Sequence, residues 1–190
     1  MDVCRFNMAA GIQLKGQKRV IMQISELLNN AIKLNEGLQN GTMIKNVLSQ
    51  HEDAIMELQK HQLFAGMASN GDDLHPYYTE DLQPSGYFKS IDSAKRYAAW
   101  KETLNYPYSA NRNTNAPNLY INGRFHSELD VTFDNTGVKI DGATMYAKNI
   151  VAKYGLQVFG LTKENWSDIW WEKGAYNELL GNVKKQLFGN

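Results

Sequence analysis

The segment Leu129-Asp-Val-Thr-Phe-Asp-Asn-Thr-Gly-Val-Lys-Ile140 decides the fold. Leu129, Val131 and Phe133 alternate with polar residues, Asp134-Asn-Thr-Gly137 supplies a turn, and Val138 and Ile140 resume the alternation. A two-residue period sends successive side chains to opposite faces, so this reads as a β-hairpin with one buried face and one wet face. The buried face needs an apolar cover, and the flanking sequence offers helices. Ala147, Ile150, Val151 and Tyr154 recur at helical spacing, with Asp141 placed to cap and Gly155 placed as a left-handed terminator. Thr162 is positioned to cap a final helix, with Leu161 stapling against Trp166 across its entry turn. Beyond Gly174, a further stripe runs through Tyr176, Leu179, Leu180, Val183 and Leu187.

Upstream, Val20, Ile24, Leu27, Leu28 and Ala31 form a helical stripe that Ile21 and Ile32 widen. Gly37 and Asn40-Gly41 interrupt it, and Thr42 is placed to cap a second helix carrying Ile44, Val47, Leu48, Ile55 and Leu58. These two helices read either as an antiparallel hairpin or as one interrupted arm. Gln62–Met67 reads as a strand, Ser69-Asn-Gly-Asp72 as a turn, and Leu74–Tyr78 as a returning edge strand containing Pro76. Ser90 or Asp92 can cap a short helix through Ala94, Tyr97, Ala98 and Leu104. Asn105–Pro117 is long and aperiodic, which marks a functional loop or a segment ordered by a partner. The expectation is an α+β fold: a small antiparallel sheet packed with amphipathic helices, a helical N-terminal arm over 1–60, and a core domain with assembly loops over 61–190.

The bulk numbers narrow the function. The chain has 190 residues, 43% of them hydrophobic, enough for a real core and against wholesale disorder. Twenty basic residues balance twenty acidic ones, which argues against an electrostatic nucleic-acid binder. The densest basic run, Lys15–Arg19, reads as a solvated helix entry. Cys4 is the only cysteine, so no intrachain disulfide or cysteine-based zinc site can form. No apolar run approaches the ~20 residues of a membrane helix. The N-terminus lacks the pattern of a signal peptide, so synthesis in a reducing cytoplasm is expected.

Recognisable chemistry is thin. His51, His61, His75 and His126 include no pair at the i, i+4 spacing that puts two metal ligands on one helix face. Asn70–Asp73 lacks the ligand pattern of a calcium loop, and Ser85-Gly86 and Ser127 lack the glycines of a nucleophile elbow. The adjacent acids Glu80 and Asp81, with His75, are the one dispersed acid site an enzyme could use. The chain therefore reads as non-enzymatic, with no catalytic, cofactor-binding or metal-binding residues and no cofactor. The alternatives are a phage-encoded or bacterial enzyme built on those acids, and a peptide- or single-strand nucleic-acid-binding module built on aromatics.

The aromatics point towards assembly. At ~100° per residue, Trp166, Ile169 and Trp170 share one sector of a helix while Trp171 points away from them. Aromatic character on both sides of a helix means burial on both sides, either within the chain or against a neighbouring subunit. The candidate interface residues are Tyr106, Tyr108, Tyr120, Phe125, Trp170 and Trp171.

From Gln62 onward the order of features resembles that of small phage neck and tail proteins, in particular the tail-barrel ring proteins of crAss-like and other Bacteroidetes phages. The resemblance is carried by Gln62-Leu63 with Gly66, Leu74–Tyr78, Leu119-Tyr-Ile-Asn-Gly-Arg-Phe-His-Ser127, Lys153-Tyr-Gly155, and Val158-Phe-Gly-Leu-Thr162 with Glu164-Asn165. The step Asn122-Gly123-Arg124-Phe125 is more distantly similar to the Thr-Gly-hydrophobic step of head–tail connector and tail-completion proteins, with Asn in place of Thr. The resemblance implies a structural virion protein: a homo-oligomeric ring, a dodecamer by analogy, located in the tail or neck after synthesis in the host bacterial cytoplasm. Its implied partners are itself, the portal protein and adjacent tail rings. DNA would be transient cargo during genome ejection, with no membrane involved. Zero net charge suits a conduit that lets DNA slide.

Overall fold

The computed structural model describes residues 24–82, 86–104, 106–107, 113–142 and 145–188, with Met145 described through its backbone alone. Helix α1 covers residues 24–39. It is followed by α2 (Thr42–Leu48), a 3-10 turn at Ser49–His51, α3 (Glu52–Phe64), α4 (Ile91–Glu102) and α5 (Arg124–Ser127). Strands β1 (Leu129–Asp134) and β2 (Gly137–Gly142) come next, then α6 (Met145–Tyr154), a 3-10 turn at Leu156–Val158, α7 (Lys163–Ser167) and α8 (Ala175–Phe188). Between α7 and α8 the chain runs through a π-helical turn, Asp168–Glu172.

The fold is α+β, as expected. The strands pair antiparallel with Val131 opposite Ile140, and both residues are buried while Asp130, Thr132 and Lys139 face outward. The cover for that face is α2 and α3: Val47, Leu48 and Ile55 join Val131 and Ile140, together with Leu161, Ile169 and Ala175, in the principal core. A second cluster joins Leu63, Leu74, Phe125, Leu129, Ala147 and Val158. A smaller one holds Tyr78, Phe88 and Ala94. Residues before position 61 thus contribute to the principal core, and α3 continues across that position.

One segment holds these pieces in register. Gln59 and Gln62 lie one turn apart on α3, both buried, and reach the extended stretch Val158–Thr162. Gln59 donates to the Val158 carbonyl at 3.1 Å and accepts from the Gly160 amide at 2.9 Å. Gln62 donates to the Gly160 carbonyl and accepts from the Thr162 amide and the Asn165 side chain, each at 2.9 Å. A primary amide carries both a donor and an acceptor, so two of them on one helix face substitute for the missing neighbour strand.

This arrangement explains why Gln62–Met67 is not a strand. Continuing α3 to Phe64 keeps Gln59 and Gln62 on one helical face, and the chain reverses only at Gly66, where φ is 77°. The expected strand pair reduces to a single bridge between Met67 and Asp73. Other terminators also differ from expectation. Thr42 does not cap α2: Gly41 occupies that position at φ 74°, and the Thr42 amide donates to Asn40 Oδ1 at 3.0 Å. Asp141 lies inside β2, bound to Lys139 at 2.7 Å, and is not the cap of α6. Gly155 has the expected positive φ, 84°, but its ψ of 173° extends the chain into the following turn. Ser90, not Asp92, caps α4, in a reciprocal capping box with Ser93, and Leu104 falls beyond the helix end. Thr162 caps α7 as expected, accepting from the Asn165 amide at 3.2 Å.

Gly41 also sets the corner between α1 and α2. A side chain there would put Cβ 2.0 Å from the Asn135 carbonyl oxygen in the hairpin turn, so the helix corner and the hairpin tip meet backbone to backbone.

Replacing Gln62 with leucine would leave the Thr162 amide and the Gly160 carbonyl without their side-chain partner. At ~1–3 kcal/mol for each buried group left unsatisfied, Gln62→Leu is expected to cost about 3 kcal/mol or more by urea denaturation. A loss under about 1 kcal/mol would show that the segment is held by other contacts.

Candidate assembly surface

The stretch Asn118–Ser127 contributes inward-facing rings to the packed interior. Gly123, at φ 78°, turns the chain into α5, which carries Phe125 and His126 inward. Phe125 belongs to the second core cluster, beside Leu129 and Ala147. Tyr120 packs edge-on to Phe64 at 6.0 Å and to Tyr106 at 5.6 Å, and Tyr106 sits 4.5 Å from Phe64. Lys101 is buried on α4, with its ammonium donating to the Tyr120 carbonyl, and the Tyr106 hydroxyl donates to the Lys101 carbonyl. This group of rings is tied to backbone from both sides.

His126 completes the group. Its Nε2 lies 3.2 Å from the Asn118 carbonyl, and its ring meets Tyr120 edge-on at 5.3 Å. Burial pushes its imidazole down to about 4, against the opposing hydrogen bond to Asn118, with Lys101 and Lys60 adding to the decrease. The ring is therefore neutral at neutral pH and behaves as a packed hydrogen-bonding group.

Of the candidate interface residues, Tyr106, Tyr120 and Phe125 are drawn into the chain's own packing, and Tyr108 lies outside the described residues. Trp170 packs against the principal core with Trp166, around the buried Ile169. Trp171 stands apart at 60% exposure and, among the described residues, has its one ring contact with Tyr176, at 4.7 Å. The π turn widens the helix here, with the Lys173 amide reaching back five residues to the Asp168 carbonyl at 2.8 Å. Among the described residues, this helix is buried on one side and leaves Trp171 open on the other.

The largest apolar exposure lies elsewhere, on α1. Ile24 and Leu28 are each 61% exposed and Ile32 is 50% exposed, while Leu27, Ala31 and Leu38 are also open to solvent. At ~100° per residue these six fall within a sector of about 140°. The adjoining sector, Asn30, Leu34 and Gly37, is half-buried, and Asn30 reaches the Leu187 carbonyl at 3.4 Å. The stripe is legible in the sequence, but its exposure is not. Val20 and Ile21, which would extend it, lie outside the described residues. Periodicity also does not register that the exposed Tyr87 and Trp100 flank the half-buried Tyr97, with rings 6.5 and 5.4 Å from it.

The residues considered for chemistry disperse. His75 Nδ1 meets Glu80 at 3.1 Å, but Asp81 turns inward to Lys153 on α6. His51 pairs with Glu178 at 3.5 Å and His61 with Glu57 at 3.9 Å, so each histidine has a different neighbour. Among the described residues no group of three metal-ligating side chains converges, and no helix is long and apolar enough to cross a membrane. An open cleft of ~670 Å³, within the usual range of ligand sites, lies between Gln62 and Asn70–Asp72 on one side and Thr162–Asn165 on the other.

Compared with known proteins, the chain matches no family model, no curated protein and no solved structure.

His126 makes stability depend on pH. Between its folded value of about 4 and its ordinary value of 6.5, the unfolded chain binds the proton and the folded chain does not, so stability rises with pH through this window and is lost as pH falls. A shift of this size corresponds to a loss on the order of 3 kcal/mol between pH 7 and pH 4. Denaturant titrations across that range should show the slope, and His126→Gln should flatten it. An unchanged slope in the variant would assign the loss to other groups.

Proposed function

We propose that this protein is a structural component of a phage virion, one subunit of a self-assembling ring in the neck or tail beneath the portal. The observation that carries this reading is the exposed apolar stripe of α1. Five large apolar residues on that helix are exposed: Ile24, Leu27, Leu28, Ile32 and Leu38. At ~1.5–3 kcal/mol for full burial of each such side chain, covering the exposed parts offers about 5 kcal/mol. Association itself costs about 4–15 kcal/mol, so one such contact is marginal by itself. A closed ring gives every subunit two contacts through unlike surfaces, which is how weak heterologous contacts become a stable assembly. The resemblance centred on Asn118–Asn165 supplies the phage context, and the zero net charge fits a conduit that does not hold DNA.

A second reading is favoured by the rings on α4 and just before it. Tyr87 is 71% exposed, and Trp100 is exposed at the other end of the Tyr87–Tyr97–Trp100 row. Arg96, exposed and four residues before Trp100 on α4, places a cation beside the end of that row. Stacking rings with adjacent cations are the elements of single-strand nucleic-acid binding.

Negative-stain imaging and analytical ultracentrifugation should find rings or a high-mass symmetric species, alone or on addition of a portal protein. Leu28→Glu, at an exposed site, should leave folding stability within about 0.5 kcal/mol while weakening self-association about tenfold or more. A monodisperse monomer indifferent to portal and tail proteins would overturn the ring reading. The second reading predicts that an oligonucleotide quenches tryptophan fluorescence in the wild type and about threefold less in Trp100→Ala, as loss of a stacking contact requires. An unchanged wild-type signal would remove it.

A further inference from the structure

The exposed ridge of α1 has a counterpart on the same chain. Along α1, Ile24, Leu28, Ile32 and Glu36 follow one another at intervals of four residues and form one ridge. Along α8, Tyr176, Leu180, Lys184 and Phe188 do the same, all exposed on the outer face. Both ridges are mostly apolar with one charge, and the charges have opposite sign. In a parallel alignment the two match position by position: Leu28 meets Tyr176, Ile32 meets Leu180, and Glu36 meets Lys184. Ile24 then falls beside the exposed Trp171, which stacks on Tyr176 at 4.7 Å.

Net charge favours this pairing over α1 against α1. Glu26 and Glu36 against Lys33 leave α1 at −1, and Lys184 and Lys185 against Glu178 leave α8 at +1. Glu178 is partly exposed and reaches His51 at 3.5 Å, while Lys184 and Lys185 are both exposed, so the net outward charge of α8 is basic. Neither Glu36 nor Lys184 forms an ion pair among the described residues. The pairing is between copies. Within one chain α1 meets the end of α8 through Asn30 and the Leu187 carbonyl, on the sector away from the Ile24–Leu28–Ile32 ridge.

We infer that the α1 ridge of one copy docks in parallel on the outer α8 ridge of the next, with Glu36 opposite Lys184 and Trp171 closing the end. This rests on the self-assembly reading and names the contact that would build it. Because the two surfaces differ, the contact is heterologous, the kind that propagates around a ring.

Disulfide trapping tests the register. On a Cys4→Ser background, protein carrying Ile32→Cys is mixed with protein carrying Leu180→Cys and oxidised. Products are quantified on non-reducing gels and identified by mass spectrometry. Disulfides form only across a Cβ separation of ~3.5–4.5 Å, so the mixed 32–180 link should exceed either self-link by about tenfold. Glu36→Lys or Lys184→Glu alone should lower the mixed link roughly fivefold, and the two combined should restore it. A dominant 32–32 link would overturn the inference and leave self-assembly standing, as would assemblies that form with no link at these positions. A monomer whose α1 amides are protected from hydrogen exchange would mean that the chain covers its own ridge, which overturns both readings.

Discussion

The two buried glutamines of α3 are the constraint on which the rest of the molecule depends. Buried backbone must have its amides and carbonyls satisfied, and the two-stranded sheet of β1 and β2 does not include the segment Val158–Thr162. Gln59 and Gln62 do what a third strand would do, and their order along the helix sets the register of that segment. Because Val158 belongs to the second cluster and Leu161 to the first, fixing the segment also joins the two cores. Asn165, the residue whose amide Thr162 caps, is bound by the same Gln62, so the entrance of α7 depends on the same pair of side chains.

The division between interior and surface follows from that frame. The sheet is covered on one face by α2 and α3, and the π turn after α7 keeps Ile169 inside while leaving Trp171 outside. Within Asn118–Ser127, Tyr120 turns towards Phe64 and Lys101 and Phe125 enters the second cluster, while Ile121 and Arg124 stay exposed. Exposed apolar side chains line α1 and the outer side of α8, with Tyr87 and Trp100 forming a separate group.

How much of this could be read in advance depended on the range of the interactions. The hairpin, the capping of α7 by Thr162 and the stripe of α6 are local patterns, and each is present in the fold. The glutamine pairing was hidden because its partners are about a hundred positions away, and Gln62 beside Leu63 and Phe64 looks like a strand when read locally. Thr42 lost its capping role to a glycine because the hairpin tip leaves no room for a side chain at Gly41. For the candidate surface, periodicity identified the apolar face of α1 but not whether anything covers it. It also assigned Tyr106, Tyr120 and Phe125 to an interface, since loop aromatics look alike whether they face inward or outward.

The corner at Gly41 has a mechanical consequence. With the backbone of the corner against the Asn135 carbonyl, the base of α1 rests on the tip of the β-hairpin without an intervening side chain. A pull on the arm is carried as compression or shear into the hairpin turn, along the paired strands, and into the cluster around Val131 and Ile140. The arm is thus braced directly against the paired strands, and strain applied at its far end passes into the sheet.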